Sequence, residues 1–263
     1  MTPLFAQQVA LSVLVAGTWI STTTLISERL GSRLGGMISN LPSTILVSLL
    51  FIGITQGTDF AVQTSVAVPL GMTLSTLFLF TFISLVPRGL GWALAGSLSV
   101  WVGFAILSSF FQEVGRFSWT MLYFVVALST FWMAEKVIRI PSMPRTGKKY
   151  STMKVIMRAV FAGTVVGSAV VVGATGNAFW AGLFATFPAV MLSSMVILTL
   201  SAGAAFARAL GKIMLLASTN IVIYGFCAGY FFQWLGLGWG TLVSFVIASA
   251  WVWLLKPLFD RIK

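Results

Sequence analysis

Nine runs of about twenty mostly apolar residues, roughly 4–26, 35–56, 62–86, 91–111, 117–135, 157–175, 178–201, 211–232 and 238–256, take up most of the 263-residue chain. Each is long enough to cross the hydrocarbon core of a bilayer, about 30 Å, as a helix. Only 8% of the residues are charged and 58% are hydrophobic, whereas soluble domains carry about a quarter charged residues. A soluble globular fold is thereby excluded. The chain reads as an all-α polytopic membrane protein of nine transmembrane helices. Its first run lacks the basic start and small-residue cleavage site of a signal peptide, so it counts as a retained span. The single cysteine, Cys227, sits inside an apolar run, which leaves neither a disulfide framework nor a thiolate metal site.

The formal charge of +11 would point to nucleic acid in a soluble protein. Here the basic residues fall between spans and report orientation instead, so no nucleic-acid partner is expected. The connectors carry Arg29 and Arg33, then none, Arg88, Arg116, seven in the segment 135–158, none, Arg208 and Lys212, none, and finally Lys256, Arg261 and Lys263. Alternate connectors thus place 15 basic residues on one face and 1 on the other. The positive-inside rule puts the N-terminus outside and the C-terminus in the cytoplasm, in a bacterial or archaeal cytoplasmic membrane.

One element is written twice. Gly36-Met-Ile-Ser-Asn-Leu-Pro42-Ser43 and Gly182-Leu-Phe-Ala-Thr-Phe-Pro188-Ala189 lie 146 residues apart, and each run closes at a further glycine, Gly57 or Gly203. The same offset lays Ala16-Gly17-Thr18 on Ala162-Gly163-Thr164, and one more residue lays Gly89-Leu-Gly-Trp92 on Gly236-Leu-Gly-Trp239. Matches in one order at a nearly constant offset mark a tandem duplication. The offset contains five spans, an odd number, so the second copy enters the membrane from the opposite face. The expected organisation is a four-span repeat over 1–111, a linker helix and basic cytoplasmic loop over 112–156, and an inverted four-span repeat over 157–263. Inverted repeats are a common plan of secondary transporters.

Pro42 and Pro188 lie about seven residues into their spans. Proline has no N–H and clashes with the preceding turn, so it breaks a helix or opens a new one. Only 14 residues then remain from Pro42 to Thr55, or from Pro188 to Ser201, about 21 Å of helix. The preceding stretches, 36–41 and 182–187, are expected to be irregular. Two half-helix N-termini would meet near the midplane, with Ser39, Asn40, Pro42, Ser43 and Thr44 on one side and Thr186 and Pro188 on the other. Exposed N–H groups and the helix dipole favour an anionic or strongly polar group there. Asn220, in a Ser-Thr-Asn stretch of the eighth span, joins this candidate binding set because an amide in hydrocarbon needs a partner. Pro69 reads as a packing kink.

The chain has no histidine, and its five acids, Glu28, Asp59, Glu113, Glu135 and Asp260, fall at span ends or in connectors. That argues against an antiporter driven through a buried carboxylate, and against an enzyme: no triad, paired carboxylates or metal-binding motif is present. Sodium coupling through backbone carbonyls at the broken helices is left open; no cofactor is expected.

Trp180-Ala-Gly-Leu-Phe-Ala-Thr-Phe-Pro-Ala189, followed by Gly203 and two more spans, resembles the small four-span GlpM-like bacterial inner-membrane proteins. The likeness covers about 157–256 and, more loosely, 4–111. It implies a fused inverted pair of such units and brings no chemistry with it. Small multidrug-resistance transporters share the plan of paired four-span units but use a membrane glutamate that this chain lacks. The resulting expectation is a transporter of a small polar or anionic solute, working by rocking of the two repeats. Two alternatives stand beside it: a flippase for a lipid-linked phosphate, with Arg145, Lys148 and Lys149 meeting anionic headgroups, and a non-transporting scaffold. A homodimer is compatible with any of these.

Overall fold

A computed structural model describes residues 2–29, 41–141 and 152–261. Ser39, Asn40, Arg145, Lys148 and Lys149 lie outside the described residues. Within them all regular structure is helical: α1 (Pro3–Arg29), α2 (Ser43–Gln56), α3 (Thr58–Val66), α4 (Val68–Leu85), α5 (Leu90–Ser108), α6 (Arg116–Trp132), α7 (Thr152–Gly173), α8 (Ala178–Ala185), α9 (Ala189–Ala202), α10 (Ala204–Ala217) and α11 (Thr219–Arg261). A π-helical turn, Met133–Val137, extends α6.

Seven described stretches are long and apolar enough to cross a bilayer, and Ser43–Gln56 is a shorter apolar helix. One of the seven, Ala204–Leu255, has 52 residues, which as a single rod would run roughly 78 Å. It is divided at Gly236, whose φ of 73° and ψ of 177° are not helical.

Local geometry recurs at the offset seen in the sequence. α2 and α9 both have 14 residues, and each follows a proline of nearly the same conformation, Pro42 (φ −76°, ψ 51°) and Pro188 (φ −79°, ψ 41°). Both end at a glycine that only glycine tolerates: Gly57 (φ 97°, ψ 159°) and Gly203 (φ 87°, ψ 163°). Each of these glycines is the sole connection to the next helix. The two stretches differ further on. The third run, expected over 62–86, instead starts at Thr58 and is interrupted at Ala67, with Pro69 in the first turn of α4. The second copy breaks at Ser218, without a proline, after the longer α10.

Helix α1 packs along α7. A Cβ placed on Gly17 would meet the Ala159 carbonyl oxygen at 3.5 Å, and one placed on Gly163 would meet the Val13 carbonyl oxygen at 3.0 Å. Val13 and Ala159 are themselves 146 residues apart, so each glycine approaches the other helix's backbone at positions related by the same offset. Gly163→Val is expected to push the helices apart and cost about 1–3 kcal/mol, read as a lower unfolding temperature in detergent. Gly103→Val, which faces open space on α5, should leave that temperature unchanged.

Two buried clusters fill the bundle. One gathers Phe78, Phe82, Trp101, Tyr123 and Met195 around α4, the most buried crossing. The other packs Ile45, Leu49 and Ile52 of α2 against Val166, Val170 and Tyr224. Charged side chains pin the linker helix α6 at both ends. At its start, Arg116 donates to the Val62 carbonyl (3.3 Å) and Ser65 Oγ (3.0 Å) of α3, with its guanidinium 4.9 Å from the Tyr230 ring centre. At its other end, fully buried Lys212 of α10 donates to Glu135 Oε2 and to the Ile140 carbonyl, both at 2.8 Å. Lys212, read from sequence as a topology signal in a connector, is thus a core residue. A span-end lysine facing the bundle can reach a carboxylate at the next helix end without leaving protein.

Candidate functional site

Each proline is the centre of an inverse γ-turn. The Ser43 amide donates to the Leu41 carbonyl at 2.7 Å, and the Ala189 amide donates to the Phe187 carbonyl at 2.8 Å. The fourth amides of the helices are also taken up, Leu46 by the Pro42 carbonyl (3.1 Å) and Leu192 by the Pro188 carbonyl (2.7 Å). The second and third amides, of Thr44 and Ile45 and of Val190 and Met191, have no acceptor within their own helices, as at any helix start.

These two helix starts face one cavity of about 70 Å³. Its lining includes Leu41, Pro42, Ser43, Thr44 and Ile45 from one proline stretch and the run 185–191 from the other, together with Met72 and Ile221. A water needs about 10–15 Å³ of such space, so a few waters or a small solute fit. Five sequence-predicted residues, Pro42, Ser43, Thr44, Thr186 and Pro188, therefore share one wall-to-wall site. Asn220 is fully buried beside the lining Ile221 but is not a lining residue itself. Met72 and Ile221 escaped the sequence reading because apolar residues in apolar helices carry no distinguishing mark.

The irregular stretch of the second copy is shorter than expected. Residues 182–185 are the end of α8, and only Thr186, Phe187 and Pro188 are non-helical. A proline restricts the residue before it and clashes about one turn back, which leaves earlier residues free to stay helical. Gly182 serves packing instead: a Cβ there would lie 2.8 Å from Ala67 Cβ. Thr186 Oγ1 donates to the Gly182 (3.1 Å) and Leu183 (3.0 Å) carbonyls, closing α8. The Thr186 carbonyl in turn accepts from Ser75 Oγ of α4 at 2.8 Å. The turn before Pro188 is thus held by a hydroxyl from the first half of the chain.

No residue lining the cavity is charged, and among the described residues no group of three or more His, Cys, Asp or Glu could hold a metal ion. What the site offers is two half-helix N-termini, the hydroxyls of Ser43 and Thr44, and an otherwise apolar wall. No family model, curated protein or solved structure matches the chain.

Proposed function

We propose that the protein is a secondary transporter whose solute, small and polar or anionic, binds between the two proline-started helices. The observation that carries this reading is the shared cavity: elements 146 residues apart in sequence meet at one space with their N-terminal ends facing it. Interrupted helices at matching positions of two halves are the usual build of a transport site. Counted with the division at Gly236 and with the shorter apolar helix Ser43–Gln56, the chain crosses the membrane nine times. Its N-terminus lies outside, and its halves are inverted four-span units resembling GlpM-like proteins. The reciprocal Gly17 and Gly163 contacts are what a two-fold axis in the membrane plane would produce. Alternating access then comes from rocking of the halves, with the basic cytoplasmic loop resting on anionic lipid and sodium coupling open.

Accessibility tests this directly. In a Cys227→Ser background, single cysteines replace Ser43 and Ala189, and a membrane-impermeant thiol reagent is added from each side separately. Both positions are expected to label, with sidedness shifting as solutes or ion gradients change. Absence of labelling from either side would make the proline turns dry packing kinks and end the transport reading.

A further inference from the structure

We infer that Arg158 sets the charge preference of the cavity, drawing solutes that carry an oxyanion to it from the α7 side. The inference rests on the reading of the cavity as a transport site. Arg158 falls inside the apolar window Val155–Gly173 of α7. It stands near the start of that window, where arginines commonly extend to the interface, yet its side chain turns inward to a partner on a neighbouring helix. Arg158 is half-buried, and its Nη2 donates to Ser194 Oγ of α9 at 2.7 Å. Ser194 Oγ donates to the Val190 carbonyl at 2.6 Å, and Val190 lines the cavity. One turn of α9 therefore separates the guanidinium from the solute space.

The duplication supplies an internal control. At the offset of 146, Arg158 corresponds to Ser12 and Ser194 to Ser48. Ser12 is buried and its hydroxyl returns to the Val9 carbonyl at 2.7 Å. α1 and α2 pack together with no charge at that place, so the helix pairing itself does not require one. The arginine is an addition of the second half, on one side of the cavity only. Its planar fork of donors suits carboxylates, sulfonates and phosphates, and no Asp or Glu in the cavity wall opposes an anion.

The test uses the full chain in oriented vesicles, with Cys227→Ser and Ser43→Cys. Two thiosulfonate reagents of matched length are compared, one ending in a sulfonate and one in a trimethylammonium. The ratio of anionic to cationic labelling rates should fall about tenfold in Arg158→Gln, within the range of electrostatic steering, and be kept in Arg158→Lys. An unchanged ratio in Arg158→Gln would assign any preference to the general basic surface and overturn the inference. If Arg158→Gln does not accumulate as folded protein, the unaltered arginine gives the answer. Inorganic phosphate should slow sulfonate labelling more than chloride at equal ionic strength, and equal slowing overturns the inference. No labelling by either reagent from either side overturns the cavity reading itself, a separate result.

Discussion

Glu135→Leu is expected to destabilise the protein by about 3 kcal/mol, the low end of what removing one partner of a buried ion pair costs. The reasoning turns on unequal burial. The Lys212 side chain is 1% exposed, whereas that of Glu135 is 30% exposed. Without the carboxylate, a buried ammonium loses its counter-charge and keeps the Ile140 carbonyl, a neutral acceptor. Lys212→Met does the opposite: it removes the charge that cannot reach water and leaves a carboxylate that can. It should cost about 1 kcal/mol, mostly the lost donor to the Ile140 carbonyl. Unfolding midpoints in detergent for the two single variants and the double variant complete the cycle. The double variant should be more stable than Glu135→Leu alone. Equal damage from both single changes would mean that the pair acts only as a spacer.

Ser43→Phe is expected to slow labelling of a cysteine at position 189 on the order of tenfold or more, and to stop solute flux. Ser43 is half-exposed at the first position of α2 and lines the cavity opposite Ala189. An aromatic ring entering about 70 Å³ removes the space that water and solute need. Because the position is not fully buried, the ring need not displace packed neighbours, and the unfolding midpoint should stay near that of the parent. Retained labelling with an unchanged midpoint would show that water reaches position 189 by another route.

Much of this arrangement was legible in the residues because proline and glycine act locally. Pro42 and Pro188 open helices of equal length, and Gly57 and Gly203 end them, since each residue restricts or permits a backbone conformation by itself. The offset then carried the first copy onto the second, and five of the predicted binding residues came together at one cavity. What depends on rotation about a helix axis was not legible. Asn220 and Ile221 are neighbours in sequence, yet the apolar one faces the cavity. Lys212 and Arg158 counted alike as cytoplasmic charges, although each reaches inward to a specific partner on another segment. The extent of the irregular turn was also overestimated, because a proline disturbs only about one turn before it and Gly182 answers to Ala67 rather than to backbone strain.

The joints at Gly57 and Gly203 bear on how the protein is made. Each joins two helices through a single residue, which leaves no slack for one helix to settle far from the other. The helices of each pair, α2 with α3 and α9 with α10, are therefore expected to assemble together. A reporter or tag spliced into either joint is expected to separate the paired helices rather than merely decorate a loop.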